Sequence, residues 1–382
     1  MSAPFGKLDP APGRILVRGV NWLGDAVMTT PAIQRLREAY PEANITLLTH
    51  EKLADIWRSH PHIDRVETFS GADNALGVGG RLRSGNFDLG VALPNSPRTA
   101  FELWRANIPH RLGYRAPWRS WMLTRAISHR DGVTRMQKRT GAEIRRLIDS
   151  ADKDNAPIAA GSHHIHHYLH LMSAIGASAE PTAPSLAIPD DEVVKFAETF
   201  LGGGTDAAPA FWLGLNPGAE YGPAKRWPSD RFLEAAVNLH ESVNCGWLVF
   251  GAHGDAEAKR LADETRKRTN PDAVVDLVGR TTLIQLCAGL KFCRALLTND
   301  SGPMHAAAAL GTPVVVPFGS TSIGLTGPGL PGDSSTHKLL SANAPCSPCF
   351  LRECPVDFRC MNDLSTDQIV DAVREVCSRL SE

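Results

Sequence analysis

Apolar residues in this chain gather into short, nearly continuous runs separated by amphipathic stretches. That rhythm predicts buried strands alternating with helices, and so a parallel sheet. Arg14–Val20 is apolar and β-branched and predicts a strand, as do Asn44–Thr49 and Phe87–Leu93. A helical pattern then ends near Tyr40-Pro41. Thr30-Pro31 supplies its cap and first turn, which leaves Asn21-Trp-Leu-Gly-Asp25 on a short separate turn after the first strand. From Gly176 to Pro189 the chain turns rich in Ala, Pro and Ser, the composition of an interdomain linker. A second alternation follows, with strands at Phe211–Leu215, Trp247–Phe250, Ala295–Thr298 and Pro313–Pro317. Helical pieces at Arg231–Leu239, Asp255–Arg268 and Leu283–Leu290 fill the gaps. With 382 residues the chain exceeds one core and suits two α/β domains. The expectation is two Rossmann-like, doubly wound domains, residues 1–180 and 190–382, with a ligand-binding cleft between them.

The most specific chemistry lies at Leu296-Leu-Thr-Asn-Asp-Ser-Gly-Pro-Met-His305. It reads as a strand ending at Asn299-Asp300 and running directly into a helix that Gly311 ends. Ser301 and Gly302 leave N–H groups bare there, and Pro303 suits the first turn. A bare helix N-terminus after a strand suits a phosphate or diphosphate. Asp300 would repel that anion and fits sugar hydroxyls beside it, so a nucleotide-sugar is the first expectation. The loop Asn216-Pro-Gly-Ala-Glu-Tyr-Gly-Pro-Ala-Lys-Arg-Trp-Pro228 ends in two cations, Lys225 and Arg226, suited to charge growing on a departing diphosphate. The bland alternative is a surface loop with a solvated lysine. Asp255 or Glu257 fits ribose hydroxyls, or equally a helix's first turn. Asp25 reads either as a general base facing the cleft or as a helix-capping carboxylate.

Composition trims the alternatives. A formal net charge of −1 argues against bulk nucleic-acid binding. From Leu103 to Arg130 there is no acidic residue, while Arg105, Arg111, Arg115, Arg119, Arg125 and Arg130 alternate with Trp104, Trp118 and Trp121. This predicts a solvated helical face, or else a site for an anionic or interfacial partner. No apolar run approaches the ~20 residues of a membrane helix, and the first residues are not a secretory signal. A cytoplasmic enzyme that touches a membrane surface is the expectation. Cys346, Cys349, Cys354 and Cys360, spaced C-x2-C-x4-C-x5-C, read as a reduced, loop-packing cluster ahead of a structural metal. His163, His164, His166, His167 and His170 read as surface or acceptor-side residues rather than metal ligands. Gly19-x4-Gly24 is not the dinucleotide fingerprint, which argues against a dehydrogenase.

Asn21-Trp-Leu-Gly-Asp25 with Thr30-Pro31, Pro217–Pro228, and Thr298–His305 together resemble the heptosyltransferases of glycosyltransferase family 9. The Cys346–Met361 segment resembles one branch of that family. The resemblance implies a GT-B architecture of two facing Rossmann-like domains. It also implies an inverting transfer of L-glycero-D-manno-heptose from ADP-heptose to the inner core of lipopolysaccharide, without a metal or other cofactor. The expected step sets the second heptose on the first. First-heptose transfer to Kdo-lipid A, a nucleotide-sugar epimerase and a non-enzymatic sensor are the alternatives. By position, Asp25 becomes the catalytic base and Lys225 the diphosphate cation. The Ser301-Gly302 amides and His305 join Lys225, Asp300 takes heptose hydroxyls, Asp255 the ribose, and Glu220 and Arg226 complete the donor site. Arg111, Arg115 and Arg119 become acceptor-side residues. The implied partners are ADP-heptose, the lipid A-linked core acceptor and, weakly, the inner leaflet, with the protein peripheral at the inner face of the inner membrane.

Overall fold

The computed structural model describes residues 6–150, 158–202, 209–333 and 335–379. The chain divides into two compact units, Met1–Val133 with Gly161–Ala187, and Thr134–Ala160 with Ile188–Glu382. Residues 177–189 carry no helix or strand. The described residues 134–150 belong to the second unit, whereas the expected single division near 180–190 puts them in the first. Ile144, on the helix Gly141–Ser150, is buried in the second unit's core. One apolar stripe on a short charged helix does not reveal which core it serves.

The first unit holds β1 (Arg14–Arg18), β2 (Asn44–His50), β3 (Arg65–Phe69), β4 (Leu89–Ala92), β5 (His110–Tyr114) and β6 (Arg125–Ile127) in the order β3-β2-β1-β4-β5-β6. The second holds β7 (Phe211–Asn216), β8 (Cys245–Val249), β9 (Val274–Asp276), β10 (Leu296–Thr298), β11 (Val314–Phe318) and β12 (Lys338–Ser341) in the order β12-β11-β10-β7-β8-β9. Neighbouring strands pair in parallel throughout both sheets. Each sheet is therefore doubly wound, with its order reversing between β1 and β4 in one and between β7 and β10 in the other. Ligands bind at the carboxyl ends of strands at such reversals.

The inner strands are buried on both faces and appear in the sequence as apolar runs. Edge and short strands do not, and β3, β5, β6, β9 and β12 went unanticipated. The Arg-rich stretch is accordingly not one helical face. The helix Pro97–Arg105 ends there, and β5 and β6 follow.

One buried ion pair shapes the loop that leaves β1. Arg18 Nε lies 2.8 Å from Glu102 Oε2, with both side chains withdrawn from solvent. The Arg18 guanidinium also donates to Gly19 O at 2.5 Å and to Asn21 Oδ1 at 3.4 Å, and stacks 4.1 Å from the Phe69 ring. Burial lowers its pKa, and Glu102 partly offsets that shift. The turn leading to Asp25 thus hangs from a fixed cation.

Candidate active site

In the first unit, β1 passes through this loop into a short helix, Leu23–Met28, separate from the helix Thr30–Ala39. Trp22 occupies the N-cap position and Asp25 lies in the first turn, so Asp25 is not the capping residue. Its side chain is 32% exposed. Facing it is His164, the first residue of the helix His164–Ser173, with Nδ1 3.8 Å from Asp25 Oδ1. Burial lowers the His164 pKa and the Asp25 charge partly offsets it. One turn along, the Tyr168 ring lies 5.4 Å from that of His164, and burial, then Asp25, raises its phenol well above the ordinary value. His167 and His129 instead stack on Tyr114, at 4.0 and 4.5 Å. The histidine run therefore has a direction: His164 points to Asp25, and His167 builds an aromatic stack. Its spacing in sequence carried no sign of this.

In the second unit, four segments meet at the strand-order reversal. Lys225, in the short turn Pro223–Lys225, places Nζ 2.7 Å from Asp300 Oδ2 just beyond β10. Asp300 is 3% exposed, and Thr321 Oγ1 donates to the same oxygen at 2.5 Å. Ser301 is the N-cap of the helix Gly302–Ala309 without making a side-chain cap bond, and Pro303 lies in the first turn. The amide ends there are left for another acceptor. Asn216, ending β7, donates from Nδ2 to Thr298 Oγ1 at 2.9 Å and to Ser301 Oγ at 3.2 Å. His305 is buried on that helix.

Buried Asn299 ties down both ends of the loop. It accepts from Trp227 N at 2.9 Å and donates to Pro217 O at 2.6 Å. The cysteine-rich segment supports the same loop from its far side, because Tyr221 donates to Phe350 O and Ala224 N to Arg352 O. At Gly222 an added Cβ would fall 2.6 Å from Arg352 O, so only glycine permits that approach. Cys346, Cys349 and Cys360 are buried in the core beside Trp227, and burial raises the pKa of all three thiols. Among the described residues, no group of three histidine, cysteine or acidic side chains converges as metal ligands would.

Other expected residues are committed elsewhere. Asp255 Oδ1 accepts from Ala258 N at 3.0 Å and caps the helix Ala256–Arg268, while an added Cβ on Gly218 would lie 2.8 Å from Oδ2. Arg226 pairs with Glu257 at 3.4 Å and donates to Ala219 O at 3.3 Å. Glu220 is exposed on the loop. In the first unit, Arg111 donates to Met122 O at 2.6 Å, and buried Arg119 donates to Pro94 O and Asn95 Oδ1 at 3.0 and 3.2 Å. Burial pushes the Arg119 pKa down to about 10. Arg115 is exposed. The sequence gives no sign of Thr321 and Asn216 at this site, or of His164 facing Asp25. Asn216 ends β7 and Thr321 lies in the loop that leaves β11, positions that mark them once the strand order is known.

Two doubly wound sheets, the second carrying a Lys–Asp pair at an open helix N-terminus, make an α/β fold of the class that receives phosphate-bearing ligands at its strand-order reversals. The sequence model of glycosyltransferase family 9 (heptosyltransferase) matches residues 76–358, and this chain belongs to that family. It is 30% identical to lipopolysaccharide heptosyltransferase 2 of Salmonella typhimurium over 333 residues, 82% of this chain and 85% of the relative. Among solved structures it resembles E. coli ADP-heptose lipopolysaccharide heptosyltransferase II, with a TM-score of 0.73 and 24% identity, over 97% of this chain and all of the other. It also resembles E. coli heptosyltransferase WaaC solved with ADP, with a TM-score of 0.63 and 16% identity, over 95% of this chain and 99% of the other. The fold is that of GT-B glycosyltransferases.

Proposed function

We propose that this protein transfers L-glycero-D-manno-heptose from ADP-heptose to the inner core of lipopolysaccharide, setting the second heptose on the first. The kinship with heptosyltransferase 2 supports the acceptor and the step. Within the molecule, the reading is carried by the Lys225–Asp300 pair beside the uncapped amides of Ser301 and Gly302. Family membership favours transfer over the epimerase and sensor alternatives.

Lys225 keeps further N–H donors while paired to Asp300, so it holds the diphosphate without leaving its anchor. The Ser301-Gly302 amides and the nearby His305 take the remaining phosphate oxygens. Thr321 and Lys225 both bind Asp300 Oδ2, which leaves Oδ1 for a heptose hydroxyl. Asp255 offers its second oxygen to the ribose, Glu220 lies at the rim, and Arg226 braces the loop through Glu257. Asp25 takes the proton of the acceptor hydroxyl as that oxygen attacks the anomeric carbon and ADP departs with the bonding electrons. The transition state resembles an oxocarbenium ion, and charge gathering on ADP is offset by Lys225 and the helix end.

The acceptor is anchored in lipid. Arg83, Trp104, Arg105, Asn107 and Arg111 line a pocket of about 330 Å³ on the first unit, and Trp118 and Trp121 are 85% and 68% exposed. We assign this face, with Arg115, to acceptor phosphates and the inner leaflet. No helix among the described residues is long and apolar enough to cross a membrane.

The test is incubation with ADP-heptose and defined truncated core acceptors while following ADP release. Release that requires an acceptor ending in one heptose supports the reading. Release with a heptose-free acceptor alone moves the step to the first heptose, and epimerised sugar from donor alone removes transfer altogether.

A further inference from the structure

His164 has no role in the mechanism above, yet its position is specific. Its ring is 28% exposed, while Nδ1 is wholly buried and has no hydrogen-bond partner. A buried ring nitrogen without a partner is disfavoured, and the Asp25 carboxylate, 3.8 Å away, is the acceptor that faces it. That gap is too long for a hydrogen bond, but catalytic contacts commonly tighten once substrate is bound. The ring has little freedom to turn elsewhere. Tyr168 packs against it at 5.4 Å and His167 at 5.7 Å, both from its own helix, while Asp25 faces it from the helix Leu23–Met28.

We infer that His164 is a positioning residue for Asp25, donating from Nδ1–H to Oδ1 and so fixing the orientation of the carboxylate during transfer. This rests on Asp25 being the base. A cation beside Asp25 would weaken it as a base. A neutral imidazole, kept uncharged by burial, orients the carboxylate and leaves its basicity largely intact. In the step itself the acceptor oxygen bonds to the anomeric carbon and the carbon–oxygen bond to ADP breaks. The hydroxyl proton goes to Asp25, and His164 keeps its own proton throughout.

The experiment is a double-mutant cycle on the full-length protein, read as ADP release with saturating acceptor. His164→Leu is expected to lower kcat roughly 10–100-fold, by analogy with the loss when the outer partner that orients a metal ligand is removed. KM for ADP-heptose should stay within about twofold, because an orienting role acts on the chemical step rather than on donor binding. His164→Asn, whose side-chain amide sits near the former Nδ1, is expected to recover most of that loss. Combined with Asp25→Asn, His164→Leu should cost nothing further, since the group it orients no longer acts. His164→Ala replaces the leucine variant should that one fail to fold. Near-normal kcat in His164→Leu overturns the inference, as does an asparagine variant no better than leucine or full additivity with Asp25→Asn. Normal kcat in Asp25→Asn alone instead removes the base assignment, and the inference with it.

Discussion

Lys225 Nζ lies 2.7 Å from Asp300 Oδ2, joining the loop after β7 to the end of β10 at the point where the second sheet reverses its strand order. Two residues expected to serve different parts of a donor molecule are thus one unit before any donor arrives. Asp300 holds the ammonium in place, so in the proposed donor site a diphosphate would meet a cation that has already lost much of its freedom.

Removing that cation is expected to affect binding and turnover together, because the diphosphate is charged both before and during the reaction. Charge-assisted hydrogen bonds contribute about 1.5–3 kcal/mol, so Lys225→Ala should weaken ADP-heptose affinity roughly 10–150-fold. Calorimetry checks this, and wild-type affinity in the variant contradicts the role.

The Arg18–Glu102 pair yields a prediction about stability. Glu102→Ala leaves a buried guanidinium short of its main partner, which typically costs about 3–5 kcal/mol. Urea denaturation at neutral pH measures it. A loss below about 1 kcal/mol would show that Gly19, Asn21 and the Phe69 ring suffice to hold Arg18.

Acid should weaken the fold through His60. Burial, reinforced by His62, lowers its pKa from 6.5 to about 4. Between those values the unfolded chain takes up a proton that the folded chain refuses. The stabilisation is therefore complete above pH 6.5 and is lost as pH falls toward 4. At pH 5 the loss from this group is about 2 kcal/mol. Comparing unfolding at pH 7 and pH 5, His60→Gln should lose about that much less than wild type, and equal losses would exclude His60 as the cause.

The exposed tryptophans give a prediction about surfaces. Binding to vesicles rich in anionic lipid should fall when Trp118 and Trp121 are both changed to serine, and should weaken as salt rises. Binding that ignores both changes argues against this face as the membrane contact.

Much of the architecture was legible because inner parallel strands are apolar on both faces, as in Ile15–Val17 and Val314–Val316, while the loops after them carry glycine and polar punctuation. The Ser301–Pro303 helix start and the separate turn bearing Asp25 were readable for the same local reasons. The edge strand β3, with charges on its open face, was not. Nor was β5, hidden in an arginine run whose members Arg111 and Arg119 turn inward to bind backbone. Site partners brought from distant segments were also invisible. Thr321 reaches Asp300 across 21 positions, and His164 reaches Asp25 across 139, distances that only the folded sheet and its packed helices close.

The most direct test of the account is the turnover of Asp25→Asn with ADP-heptose and a one-heptose acceptor, measured beside its affinity for the donor. Loss of a general base should lower kcat roughly 10²–10⁴-fold while ADP-heptose binds nearly as in wild type. Turnover at the wild-type rate in the purified variant would contradict the proposed chemistry.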